Sequence, residues 1–131
     1  NMLQSYLSYR EARTKDCYDS ILINRDGNIT EGTRTNFFAV KGNILYSPFE
    51  KDILLGVTRK YVLEVAKSNG FSVDERNISL DDLEKFDGAF LTSTSTKIIP
   101  IKRINDFEYK EISESITKLI DLFDNFLKSD K

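Results

Sequence analysis

A chain of 131 residues with 40% hydrophobic content suits one compact domain with a buried core. Its formal net charge of -2 leaves no basic footprint for nucleic acid or a membrane surface, no apolar run is long enough to cross a bilayer as a helix, and the lone Cys17 points to a reducing cytoplasm. The absence of histidine excludes Ser-His-Asp and Cys-His catalysis and the common zinc sites within the chain, so chemistry falls to carboxylates, hydroxyls, lysines, arginines, backbone amides or a borrowed cofactor.

In chain order, Leu3, Tyr6, Leu7 and Arg10 recur at helical spacing and predict a helix from Met2 to about Lys15. Ser20 to Asn24 is short, apolar and β-branched, as a buried strand is. Asp26-Gly27 is a strong turn signal, and Ile29 to Glu31 returns from it as a strand. Asn36 to Val40 is a third strand, turned by Lys41-Gly42-Asn43 into Ile44-Leu45-Tyr46. Ser47-Pro48 closes this hairpin region.

A helix is predicted from Val57 to about Asn69, with Val62, Leu63, Val65 and Ala66 as its apolar face and Gly70 as the left-handed residue after it. Phe71, Val73 and Glu75 alternate with polar residues like an edge strand. Ser79 with Asp82 three residues on forms a capping-box pattern before a short helix to about Phe86. Gly88 to Ser93 is the next strand, Ser93-Thr94-Ser95-Thr96 a hydroxyl-rich break, and Ile98 to Ile101 an extended segment that Pro100 keeps at an edge or bulge. Ile116, Leu119, Ile120, Phe123, Phe126 and Leu127 trace one stripe of a final helix. The expected fold class is α+β: a mixed, largely antiparallel sheet with flanking helices.

Three segments carry candidate chemistry. In Gly27 to Asn36, the Glu31 carboxylate leaves a strand beside Gly32. That is either a solvated hairpin residue or a fixed carboxylate that holds a proton on a cationic ring nitrogen. Gly56-Val57-Thr58-Arg59 opens a helix. It is either an ordinary helix start or a phosphate site, because the first helical amides lack partners and the dipole favours anions there. Phe90 to Lys97 is either a threonine-rich strand end or a second wall of hydroxyls and amides around an anion.

In this order and spacing the segments resemble the class IV aminotransferases, the fold-type IV pyridoxal phosphate enzymes. The landmarks are Thr30-Glu31-Gly32-Thr33 with Asn36, Ile53-Leu54 with Gly56-Val57-Thr58-Arg59, Asp74-Glu75-Arg76 before Leu80-Asp81-Asp82-Leu83, and Phe90-Leu91-Thr92-Ser93-Thr94 before Ile99-Pro100-Ile101. The resemblance covers Asn1 to about Ile104. It implies the sheet-rich, pseudo-barrel large domain of the D-amino-acid aminotransferase type, with the whole chain, 1–131, as its C-terminal cofactor-binding domain.

The resemblance also implies pyridoxal phosphate as cofactor. Glu31 matches the partner of the pyridine nitrogen, Val57 and Thr58 the phosphate-binding helix start, Thr94 a further phosphate contact, and Ser95 a backbone amide near phosphate or substrate carboxylate. Arg34 matches either a site-edge residue or a structural one, while Asn36 and Arg59 match structural positions. The family's Schiff-base lysine would fall just before Asn1, and Lys15, Lys41, Lys60 and Lys97 do not match its place. No catalytic residue is therefore expected within these residues, and the chain alone is expected to be inactive without that lysine and the smaller N-terminal domain. The implied partners are an amino acid and a 2-oxo acid, with 2-oxoglutarate and branched-chain substrates favoured, in a cytoplasmic homodimer. D-amino-acid transamination, aminodeoxychorismate lyase activity and a non-catalytic binding domain are the alternatives.

Overall fold

Two strands, Asn36–Lys41 and Gly88–Ser93, read as near-continuous apolar runs because they are covered on both faces. They form the middle of a curled sheet in the computed structural model, which describes residues 2–8, 19–32, 35–50, 56–94 and 97–129. The strands in chain order are β1 (Met2–Ser8), β2 (Asp19–Ile23), β3 (Ile29–Gly32), β4 (Asn36–Lys41), β5 (Ile44–Ser47), β6 (Ser72–Glu75), β7 (Gly88–Ser93), β8 (Lys97–Ile104) and β9 (Phe107–Glu108). Helix α1 spans Val57–Ser68, α2 spans Glu114–Ser129, and a 3-10 helix spans Leu80–Lys85.

The sheet order is β3-β2-β1-β8-β7-β4-β5-β6, with β9 paired to β8. β3 also pairs with β4 through Glu31 and Asn36, so six of these strands close on themselves. All described pairs are antiparallel except β5 with β6, which run parallel at the edge of the sheet.

Alternation along β4 splits the core in two. Phe37 and Ala39 join Ile21, Ile23, Ile29, Leu91, Ile101 and Ile104 in one apolar cluster. Phe38 and Val40 join Phe90, Val62, Val65, Ile116, Leu119 and Phe123 in the other, which packs both helices on the sheet. The stripe on α2 is as the sequence predicts, with Ile116, Leu119 and Phe123 buried.

The expected first helix is instead β1 where it is described, and positions 9–15 lie outside the described residues. Its few apolar positions fit one helical turn or a buried strand equally, and pairing to β2 on one side and β8 on the other decides for the strand. Tyr6 is buried in the first cluster. The β8–β9 hairpin turns at Asn105, which takes a left-handed conformation, φ 52°. Asn105-Asp106 between apolar residues was a legible signal for this turn.

Other local expectations hold in detail. The Asn24 carboxamide oxygen accepts from the Asp26 and Asn28 amides, each at 3.0 Å, while Gly27 turns the chain at φ 83°. Gly70 follows α1 at φ 90°. At the 3-10 helix, Ser79 and Asp82 form a reciprocal capping box. The backbone amide of Ser79 holds the Asp82 carboxyl below its ordinary range, and Lys85 assists.

Tyr109 ties this short helix to the β8–β9 hairpin. Its hydroxyl donates to the Leu83 carbonyl oxygen at 2.8 Å, and its ring meets Phe107 edge-on at 4.8 Å. Burial, with the nearby Asp87 charge, pushes the phenol well above its ordinary value. The folded state therefore keeps this proton more tightly than the unfolded chain does. Its contribution is fully present below the unfolded value of 10.0 and is lost as pH rises beyond it. Absorbance titration should find Tyr109 un-ionised until the protein unfolds in alkali. Leu83 also accepts from the Phe86 amide at 3.3 Å, so Tyr109→Phe should cost only about 1 kcal/mol in urea denaturation.

Candidate functional site

The site is built on one row of residues across the sheet. Leu22 of β2 lies opposite Glu31 of β3, Glu31 opposite Asn36 of β4, Asn36 opposite Thr92 of β7, and Thr92 opposite Ile98 of β8. Residues paired in this way share a face. That face is the helix side, since Asn36 and Thr92 alternate with Phe37 and Leu91 of the other cluster. At about 4.8 Å per strand, Glu31 and Thr92 stand about 10 Å apart across the row.

A bulge brings Glu31 to this face. Ile29 pairs with Ile23 and Glu31 with Leu22, so β3 spends one extra residue, Thr30, against two adjacent residues of β2. Adjacent residues of β2 point to opposite faces. Ile29 accordingly enters the first core cluster while Glu31 turns to the helix side, a re-aiming typical of bulges. The Thr30 hydroxyl donates to the Leu22 carbonyl oxygen at 3.2 Å and secures the bulge.

Helix α1 begins against the same row. Gly56 is its N-cap residue and supplies no side-chain cap, and no acidic residue lies in the first turn. The Gly56 amide donates to the Asn36 carboxamide oxygen at 3.2 Å. A Cβ on Gly56 would stand 2.7 Å from that oxygen, so a larger residue here would have to push the Asn36 carboxamide aside. The next two residues are Val57, whose side chain is 67% exposed, and Thr58, which is buried. The leading amides of a helix have no partner within it, and with no acidic residue in the first turn they form an electropositive cradle.

Arg59 anchors the helix from behind. It is buried, donates from Nη2 to the Ser47 hydroxyl at 3.0 Å, pairs through Nη1 with Glu50 at 3.4 Å and lies 5.7 Å from the Phe38 ring centre. Its hydrogen bonds are internal to the fold, in keeping with a structural role.

The far wall is the end of β7. Thr92 is 2% exposed, and its hydroxyl has no hydrogen-bond partner among the described residues. Thr35, beside Asn36, has a buried hydroxyl in the same condition. Two residues after Thr92, Thr94 is exposed, and its carbonyl oxygen accepts from the Lys97 ammonium at 2.8 Å. Ser95 and Arg34 lie outside the described residues. Sequence reasoning included Thr92 in the candidate wall Phe90 to Lys97 but did not single it out, although a threonine directly after the apolar run Ala89 to Leu91 was visible. It also left unread the contact between Asn36 and Gly56, which nothing local encodes.

An uncapped helix start, hydroxyls short of partners and a half-buried carboxylate in one row suit a ligand with an anionic end and a cationic end. The family comparison says what kind of chain carries this row. The class IV aminotransferase family model matches residues 1–104. The chain belongs to the class IV aminotransferases. Enzymes of this family use pyridoxal phosphate, a ligand with an anionic phosphate at one end and a basic ring nitrogen at the other.

The D-alanine aminotransferase of Bacillus licheniformis is 36% identical over 106 residues, covering 80% of this chain and 37% of that protein. The branched-chain aminotransferase of Thermoproteus uzoniensis, solved with norvaline, is 31% identical with a TM-score of 0.74, covering 86% of this chain and 37% of that one. The branched-chain amino acid aminotransferase of Escherichia coli is 27% identical with a TM-score of 0.75, covering 81% and 37%. The chain thus spans under two fifths of the length of each of these relatives. The curled sheet with two helices is this family's fold.

Thr92 gives a direct test of the far wall. A buried hydroxyl without a partner costs about 1–3 kcal/mol. Thr92→Val should therefore leave the unliganded protein as stable or up to about 1 kcal/mol more stable in urea denaturation. The same substitution should weaken inorganic phosphate binding in calorimetry. Unchanged phosphate affinity would remove Thr92 from the site.

Proposed function

We propose that these residues form the cofactor-gripping part of a pyridoxal-phosphate-dependent aminotransferase that moves the amino group of branched-chain L-amino acids to 2-oxoglutarate. The carrying observation is the Glu31–Asn36–Thr92 row with the start of α1 pinned to its centre. When bound, pyridoxal phosphate supplies an electron sink for the substrate α-carbon. Glu31 holds the proton at the ring nitrogen, because a carboxylate favours the charged form of a neighbouring base. The amides of Val57 and Thr58 and the Thr58 hydroxyl take the phosphate, Thr94 adds a further hydroxyl, and the Ser95 amide serves the phosphate or the substrate carboxylate. Buried Arg59 keeps α1 in place while the ligand comes and goes.

The lysine that moves the α-carbon proton in such enzymes has no match among Lys15, Lys41, Lys60 and Lys97. Transamination is therefore proposed for the full-length protein, working as a cytoplasmic homodimer, and not for these 131 residues alone. The branched-chain assignment rests on likeness to the Thermoproteus uzoniensis and Escherichia coli enzymes. Full-length protein supplied with pyridoxal phosphate should transaminate leucine, isoleucine or valine with 2-oxoglutarate fastest in a donor screen. A preference for D-alanine would move it to the D-amino-acid branch. Failure with every donor would overturn the proposal.

A further inference from the structure

Asn36 does something at the start of α1 that an ordinary cap does not. An N-cap side chain accepts from the amides of the second or third helical residue and so consumes them. Gly56, in the N-cap position, has no side chain to do this. The acceptor comes instead from a strand twenty residues earlier, and it takes the amide of Gly56 itself at 3.2 Å. The helix is thereby fixed to the sheet while the amides of Val57 and Thr58 are left for a ligand.

Asn36 is also the residue of β4 that pairs with Glu31, the described contact through which β3 meets β4. One buried residue, 5% exposed, thus joins the strand that carries the carboxylate, through its backbone pairing, to the helix that carries the anion cradle, through its carboxamide. A Gly56 Cβ would stand 2.7 Å from the Asn36 oxygen, so a methyl group there would displace the carboxamide from this contact.

We propose that Asn36 is a positioning residue that sets the spacing between the Glu31 carboxylate and the amide cradle, so that one ligand engages both ends together. This rests on the cofactor reading above. A ligand held at two ends gains from linkage beyond what either end supplies alone, and that gain is lost when the ends are misplaced. A purely structural residue would weaken all ligands alike.

The test uses the chain itself with pyridoxine 5′-phosphate, which has no aldehyde to react with lysines, against pyridoxine and inorganic phosphate as one-ended ligands. Calorimetry is run on the wild type, Asn36→Ala and Gly56→Ala, with thermal melts to confirm folding. Asn36→Ala should weaken pyridoxine phosphate about tenfold while changing each one-ended ligand by less than about twofold. Gly56→Ala should do the same from the other side of the contact, and it carries the test if Asn36→Ala does not fold. Equal loss for all three ligands, or unchanged pyridoxine phosphate affinity, overturns the proposal alone. A wild type that binds pyridoxine phosphate no better than inorganic phosphate overturns the cofactor reading and the proposal together.

Discussion

Phe38→Ala is expected to destabilise the protein by about 3–5 kcal/mol, read by urea denaturation. Phe38 is fully buried and stacks on Phe90 with ring centres 5.1 Å apart and planes 17° from parallel. It lies in the cluster that joins β4 and β7 to Val62, Val65 and Ala66 of α1 and to α2. The Arg59 guanidinium rests against the same ring. Truncation would open a cavity where sheet and helix meet, and rigid strands on both sides limit how far it can collapse. The binding consequence follows from position, since Phe38 is two residues from Asn36 on the same face. The variant should bind pyridoxine phosphate more weakly at temperatures where it is still folded. Tyr61→Ala, which removes a 37% exposed ring in contact with Phe126, is the control and should cost much less. A loss at Phe38 no larger than at Tyr61 would show that this cluster does not hold α1 to the sheet.

The parts of this molecule that were legible in the sequence are those governed by local rules. Asp26-Gly27, Gly42 and Gly70 marked turns or a helix end because a positive φ favours glycine there. The six-residue stripe on α2 was legible because sixteen residues give the helical period room to declare itself. The parts that were not legible depend on distant partners. β1 borrows its conformation from β2 and β8, which lie on either side of it in the sheet. The bulge at Thr30 exists only relative to β2, so no pattern within Thr30-Glu31-Gly32 announces which face the carboxylate takes. Pairing of Asn36 with Gly56 links two segments whose spacing is fixed by the fold between them. The helix start at Val57 was legible in the residues themselves and its phosphate role was expected from family resemblance, while the structure adds that the Gly56 amide before it is held from outside the helix.

Glu31→Gln is the substitution expected to act most strongly on the chemistry while sparing the fold. The change keeps size and hydrogen-bonding shape and removes one negative charge. With Glu31 ionised, the protonated ring nitrogen of bound pyridoxine phosphate is favoured over the neutral one, so its pKa should stand higher in the wild type than in Glu31→Gln. A difference of at least about one unit is expected, equivalent to about 1.4 kcal/mol. The ultraviolet absorbance of the bound hydroxypyridine reports it directly. Wild-type affinity should therefore fall as pH rises through the ring's bound pKa, whereas the Gln variant should show a weaker dependence there. In the full-length enzyme, loss of one such preorganised electrostatic partner should lower kcat by about 10²–10³-fold. Equal ring pKa values in the two proteins would sink the assignment. The bulge gives the prediction its force. Glu31 is paired on one side to Leu22 and on the other to Asn36. Its backbone cannot swing to another face without breaking both pairings. A changed response in Glu31→Gln would then report a lost charge at a fixed place, not a side chain that has moved elsewhere.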